Sequence, residues 1–114
     1  MRGAILFAVA AASLAASSPS LAGASAFTLI NGTGEPLKAV AIRRTGTDAW
    51  KPLGASPSPG ARQKVDFADP DCAFDLKGTL GSGRDAVWTG VNLCEVGAVT
   101  LNRNAAGALW VDYD

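Results

Sequence analysis

Short segments in which apolar and polar residues alternate recur along the chain from residue 27 onward. Alternation with a period of two is typical of strands that bury one face. We predict about seven such strands, and no segment shows a convincing helical pattern. They cover residues 27–30, 37–42, 62–67, 72–77, 99–102 and 109–113, together with a return strand that begins at 86 and is followed by a further short strand before Cys94.

Glycine-rich turns separate several of these strands. Asn31-Gly32-Thr33-Gly34 follows the first strand, and Gly81-Ser82-Gly83 follows the strand that starts at Cys72. Such sequences favour tight turns between antiparallel strands, so we predict a hairpin at each of them. Along residues 72–77, Phe74 and Leu76 should face inward and Asp75 outward beside Lys77.

Strands that each have one apolar face are best buried in pairs of packed sheets. We therefore predict an all-β fold, a small antiparallel β-sandwich, with a small closed barrel as the alternative. The inward positions define the expected core: Phe27, Leu29, Val40, Ile42, Val65, Phe67, Phe74, Leu76, Val99, Leu101 and Val111.

The first residues have the composition of an export signal. Arg2 precedes an apolar run, and Ser20-Leu21-Ala22 fits the small-x-small rule for cleavage before Gly23. Ala24-Ser25-Ala26 offers a second site before Phe27. A membrane anchor is the alternative, but the apolar run is shorter than the roughly 20 residues that span a bilayer. We expect a signal peptide in residues 1–22, a single β domain in 23–114, no membrane anchor after cleavage, and a periplasmic or secreted product.

Two cysteines and no histidine limit the chemistry of the chain. In an exported protein, Cys72 and Cys94 are most simply paired as a disulfide, two buried free thiols being the alternative. Without histidine, the commonest general base and metal ligand is missing. We expect no enzyme activity, no cofactor and no metal. The formal net charge of zero and the lack of a basic stripe argue against nucleic acid as a partner.

The chain carries Cys72-Ala73-Phe74-Asp75-Leu76, then Trp88, then Asn92-Leu93-Cys94. In these residues it resembles a family of short exported bacterial proteins. The family, which has no established function, is often labelled argininosuccinate lyase. That label does not fit, because true argininosuccinate lyases are large helical tetramers and this is a short β domain without histidine. The resemblance therefore implies an exported β protein and no particular activity.

The longest irregular stretch is predicted at residues 43–60, where three prolines and three glycines oppose helix. It carries Arg43, Arg44, Trp50 and Lys51. Because arginine and tryptophan are enriched at interface hot spots, we predict that these residues contact a partner. The alternative is that Trp50 only anchors the loop on the sheet.

The function expected from these features is that of a non-enzymatic binding or accessory module of the cell envelope. Its partner would be an envelope protein or a surface polymer, and an inhibitor of an envelope-attacking enzyme is one concrete form. The alternative uses the acidic cluster between Asp66 and Asp85, whose carboxylates could bind calcium or perform acid–base catalysis. Its members are Asp66, Asp69, Asp71, Asp75 and Asp85.

Overall fold

The computed structural model describes residues 23–114, so the predicted signal peptide lies outside the described residues. Between residues 23 and 114 no helix is long and apolar enough to cross a membrane. This part of the chain forms eight strands: β1 (Phe27–Gly32), β2 (Leu37–Arg44), β3 (Lys51–Pro52), β4 (Arg62–Val65), β5 (Ala73–Leu80), β6 (Asp85–Asn92), β7 (Ala98–Arg103) and β8 (Leu109–Tyr113).

The strands form two separate four-stranded sheets, in the orders β4-β1-β7-β8 and β3-β2-β5-β6. The predicted all-β, two-sheet fold is confirmed, and the sheets do not close into a barrel. Every strand pair is antiparallel except β1 and β7, which run parallel with Leu29 opposite Val99. The β5–β6 hairpin predicted at Gly81-Ser82-Gly83 is also confirmed, but β6 is one continuous strand and not two.

The hairpin predicted after the first strand is wrong, because β1 and β2 belong to different sheets. The reason lies in the fully buried side chain of Asn31. Its Nδ2 donates to the main-chain oxygens of Glu35 (2.7 Å) and Pro57 (2.9 Å), and its Oδ1 accepts from the Thr33 hydroxyl at 2.6 Å. An amide that satisfies buried main-chain carbonyls fixes a corner of the chain, and here that corner carries the chain from one sheet to the other.

The space between the sheets contains the predicted core. All the expected core residues are buried except Phe67 and Val111, which are partly buried and pack against the others. Further core positions lie at strand ends and on β6, where the apolar pattern is less regular: Leu37, Leu80, Trp88, Val91 and Leu93. The indole of Trp88 donates to the main-chain oxygen of Asn102 at 3.0 Å and so links the two sheets.

Much of the stretch predicted to be irregular, residues 43–60, is held by main-chain hydrogen bonds. The Leu53 N–H donates to Val40 of β2 (2.8 Å), whereas the Gly60 N–H donates to Asn31 of β1 (2.8 Å). The chain after β3 therefore crosses along one side of the sandwich from the second sheet to the first. Residues 45–50 form a turn between β2 and β3 that is exposed from 45 to 49, and the Thr45 N–H attaches its start to Ala73 of β5 at 3.1 Å.

One end of the β5–β6 hairpin is closed covalently. Cys72 and Cys94 form the predicted disulfide, with their Cα atoms 5.1 Å apart, and Leu93 donates to the Cys72 carbonyl at 2.9 Å. This bond lies near the ends of β2 and β5, where the predicted binding residues are found.

Candidate binding surface

The four residues predicted to contact a partner surround one end of the second sheet. Arg43 and Arg44 are the last residues of β2, and the turn 45–50 leads from them through Trp50 to Lys51 of β3. Because successive side chains of a strand point to opposite faces of the sheet, Arg43 and Arg44 contact different groups. Gly46 (φ +90°) allows the tight turn between them and Trp50, and Thr47 N–H closes it by donating to Arg44 at 3.1 Å.

Arg43 and Trp50 form a layered contact on the outer face of the sheet. The Arg43 guanidinium carbon lies 4.4 Å from the centre of the Trp50 ring, and Lys77 Nζ lies 4.5 Å from it. Both distances are within the range of cation–π attraction. The turn 45–50 is therefore attached to the sheet through Trp50, which is half-buried.

Beneath this layer lies a buried carboxylate. Asp75, predicted to face outward, is only 2% exposed. It accepts from Arg43 Nε (2.8 Å), the Thr45 hydroxyl (2.8 Å) and the Gly90 main-chain N–H (3.0 Å). Asp75 does lie on the outer face of β5 with Lys77, but it is not exposed, because the side chain of Arg43 and the turn that follows it cover this face.

A β-bulge explains the bond to Gly90. Phe74 pairs with Val91 and Leu76 pairs with Trp88, so two residues of β6 lie opposite the single residue Asp75. The N–H of the bulged Gly90 is turned out of the ladder and needs another acceptor, which Asp75 provides. Burial alone would raise the pKa of Asp75, but the bonds from Gly90, Arg43 and Thr45 and the charge of Arg43 hold it below its ordinary value.

Arg44 lines a cleft of about 320 Å³ on the other side of β2, together with Lys51. Phe67 and Phe74 also line it, in edge-to-face contact with ring centres 5.2 Å apart. The remaining lining residues are Ile42, Arg43, Thr47, Ala49 and Asp69. The cleft thus combines an aromatic pair with several positively charged side chains.

Two aspartates hold Arg44 in the cleft. Its Nη2 lies 3.0 Å from Asp69 Oδ1 and its Nε lies 3.0 Å from Asp71 Oδ2. The hydrogen bond and charge of Asp69, followed by the charge of Asp71, raise the pKa of Arg44. Burial would raise the pKa of Asp69, but the Asp71 N–H, Arg44 and the charge of Lys51 lower it. Among residues 23–114, Lys51 itself makes no ion pair.

The acidic residues between Asp66 and Asp85 do not converge on one site. Asp69 and Asp71 bind Arg44, Asp75 binds Arg43, and Asp85 accepts from Thr79 at 2.8 Å. Within the described part of the chain, no three acidic or cysteine side chains are grouped so that they could hold a metal ion.

Sequence reasoning placed Arg43, Arg44, Trp50 and Lys51 in one region but did not identify Asp69, Asp75 and Lys77 as their partners. The alternation along β5 does put residues 75 and 77 on one face. Which strand lies beside them depends on sheet order and register, for which the local sequence carries no signal.

The fold and this surface define a small disulfide-linked β-sandwich. An NMR structure of a protein from Eubacterium rectale is similar to it, with a TM-score of 0.55 and 16% sequence identity over 79% of this chain and 87% of that one. At this identity the likeness shows the fold alone. No protein-family model matches the chain, and neither does any curated protein sequence.

Proposed function

We propose that this chain is an exported, non-enzymatic binding module of the cell envelope, and that it contacts another protein through Arg43, Arg44, Trp50 and Lys51. The observation that carries the proposal is the arrangement of these residues around one projecting turn, residues 45–50. Residues 45–49 are exposed, whereas the ends of the turn are fixed to the sheet by Trp50 and by main-chain bonds. A surface that is already ordered loses little conformational entropy on binding.

The charges of the surface favour a partner segment that carries carboxylates. Arg43 and Arg44 are held by aspartates, whereas Lys51 and Lys77 make no ion pair among residues 23–114. An acidic partner could pair with these two lysines without breaking an existing ion pair. Beside Lys51, the half-buried ring of Phe67 offers apolar area in the cleft. Hot spots of protein interfaces typically combine apolar area with positively charged side chains that form directed hydrogen bonds.

The electrostatics support binding over acid–base catalysis. Among residues 23–114, the carboxyl groups with a resolved pKa shift are Asp69 and Asp75, and both pKa values are lowered. A general acid needs a carboxyl group whose pKa is raised toward neutrality. Acid–base catalysis by the aspartates therefore gains no support from these pKa values, and a calcium site gains none from the geometry, because residues 23–114 hold no group of three acidic side chains that could bind the ion.

The disulfide is consistent with an oxidising compartment, as export would provide. A periplasmic or secreted location is part of the proposal, and it rests on the export signal in residues 1–22 together with this bond. One specific form of this protein binding would be inhibition of an enzyme that attacks the cell envelope.

The test is capture of a partner from envelope extract with tagged mature protein, followed by affinity measurements with single variants. Trp50→Ala and Arg44→Ala should each weaken binding by about fivefold or more, with little change in melting temperature. Trp110→Ala is the matched control, since this tryptophan is 46% exposed on β8 of the other sheet and should leave binding unchanged.

Two results would contradict the proposal. If Trp50→Ala unfolds the domain and Arg44→Ala leaves the affinity unchanged, the turn 45–50 is only a structural element. If Trp110→Ala weakens binding as much as Trp50→Ala, the contact surface is elsewhere. Retention of a polysaccharide instead of a protein would reject a protein partner.

A further inference from the structure

We propose that the exported chain is cut between Ala22 and Gly23, and that Gly23 and Ala24 then remain as a structural part of the mature domain. The sequence permits cleavage before Gly23 or before Phe27, because both follow small residues at the required spacing. The inference rests on the export part of the proposed function. Gly23 would then be the new N-terminus, and residues 23 and 24 would help to stabilise the fold.

In the part of the chain that the structure describes, Ala24 is the first residue whose main-chain N–H and carbonyl oxygen are both hydrogen-bonded. Its N–H donates to the carbonyl oxygens of Asp69 (2.7 Å) and Asp71 (3.2 Å), and its own oxygen accepts from the Asp69 N–H at 3.2 Å. It also forms a β-bridge with Cys94 of the disulfide. Cleavage before Phe27 would remove Ala24 and leave these groups of the 69–71 turn without their partner.

The side chains confirm how closely this segment is packed. Ala24 is 5% exposed and belongs to the hydrophobic core. A Cβ atom added at Gly23 would collide with the carbonyl oxygen of Asp69 and lie 2.7 Å from the Cα of Pro70. Gly23 therefore lies against the same turn as Ala24, at a distance that suits only glycine.

The folded domain also buries part of the second cleavage site. A signal peptidase reads the small side chains one and three residues before the bond that it cuts, which for the second site are Ala26 and Ala24. Ala24 is buried, and Phe27 on the other side of the bond is 1% exposed and paired with Val65. The bond before Gly23, in contrast, precedes Ala24, which is the first hydrogen-bonded residue within 23–114.

The position of the cut also affects the candidate binding surface. Ala24 holds the main chain of Asp69 and Asp71, and the carboxylates of the same two residues hold Arg44 in the cleft. Loss of residues 23–26 would free the turn that positions Arg44. The processed end and the binding surface are thus connected through one turn.

The reaction is a peptide hydrolysis by a membrane-bound signal peptidase, with water as the co-reactant. Water adds to the carbonyl carbon of Ala22, the bond to the Gly23 nitrogen breaks, and that nitrogen takes up the proton and becomes the new α-amino group. The products are a peptide ending at Ala22 and a domain that begins at Gly23.

The first experiment exports the full chain of residues 1–114 from a bacterium and measures the intact mass of the product. We expect the mass of residues 23–114 less the two hydrogens lost in the disulfide. Ala26→Gln, at an exposed position, blocks only the second site and should leave processing unchanged, whereas Ala22→Gln should abolish the product that begins at Gly23. A product that begins at Phe27, or lost processing in Ala26→Gln, overturns the inference but not the export proposal. An uncut chain overturns both.

The second experiment compares neighbouring substitutions in the exported protein by thermal unfolding. Ala24→Gln forces a polar side chain into the core and should lower the melting temperature by about 4 °C or more. Ser25→Gln alters an exposed residue next to it and should change the melting temperature little. Equal melting temperatures for the two variants would show that residue 24 is not part of the mature fold.

Discussion

Replacing Asp75 by Asn tests the interpretation that a buried charge supports the turn 45–50. Asparagine has nearly the same volume, so no cavity forms, but only one of its two terminal atoms can accept a hydrogen bond. The native carboxylate accepts from Arg43, Thr45 and Gly90. The amide group of the substituted side chain would therefore leave at least one of these donors without a partner.

The expected loss of stability follows from the burial of this group. Breaking a buried ion pair by removing one partner typically costs about 3–5 kcal/mol. The cost should be lower here, because the side chain of Arg43 is 24% exposed and also lies 3.5 Å from Asp48. We expect Asp75→Asn to lower the free energy of unfolding by about 2–3 kcal/mol at neutral pH.

Urea unfolding with the disulfide intact measures this difference, and its pH dependence provides the control. Because the pKa of Asp75 is lower in the folded state, its charge stabilises the fold above the unfolded pKa, near 4. That contribution disappears as the pH falls through the lower, folded-state pKa. The wild type should therefore lose its advantage over Asp75→Asn between about pH 4 and the acid limit.

A double-mutant cycle with Arg43→Met separates the ion pair from the other bonds. If the pair acts as a unit, the double variant should lose less stability than the sum of the two single variants. The reasoning is refuted if Asp75→Asn is as stable as the wild type at pH 7, or if the difference between them does not change on acidification.

Three further predictions concern stability. Replacing Cys72 and Cys94 together by serine should lower the free energy of unfolding by about 3 kcal/mol, because the bond closes a loop with a sequence separation of 22; unchanged urea midpoints would contradict this. Phe74→Ala should cost about 3–5 kcal/mol, since the ring is fully buried, and circular dichroism will show whether the domain still folds. Gly90→Ala should cost about 1–2 kcal/mol because Gly90 has φ +63°; a melting temperature equal to that of the wild type would exclude this strain.

The candidate binding surface could be predicted only in part. Arg43, Arg44, Trp50 and Lys51 are close in sequence, so any turn of this length brings them together. Asp75 is 32 residues away from Arg43, and the bond between them exists because β5 pairs with β2 in one particular register. The sequence around Arg43 therefore gives no indication that Asp75 is its partner.

The sequence by itself determined the approximate positions of every strand except β3, the inward residues of most strands, the cysteine pair and the absence of histidine. These are local properties: the period of two assigns faces within a strand without reference to any neighbour. Only the tertiary structure decided that β1 lies parallel to β7, that Asn31 turns the chain into the other sheet, and that Asp75 is buried. Each of these features depends on contacts between segments that are distant in sequence. The free energy of such contacts is a sum over packing and hydrogen bonds, and no single segment specifies it.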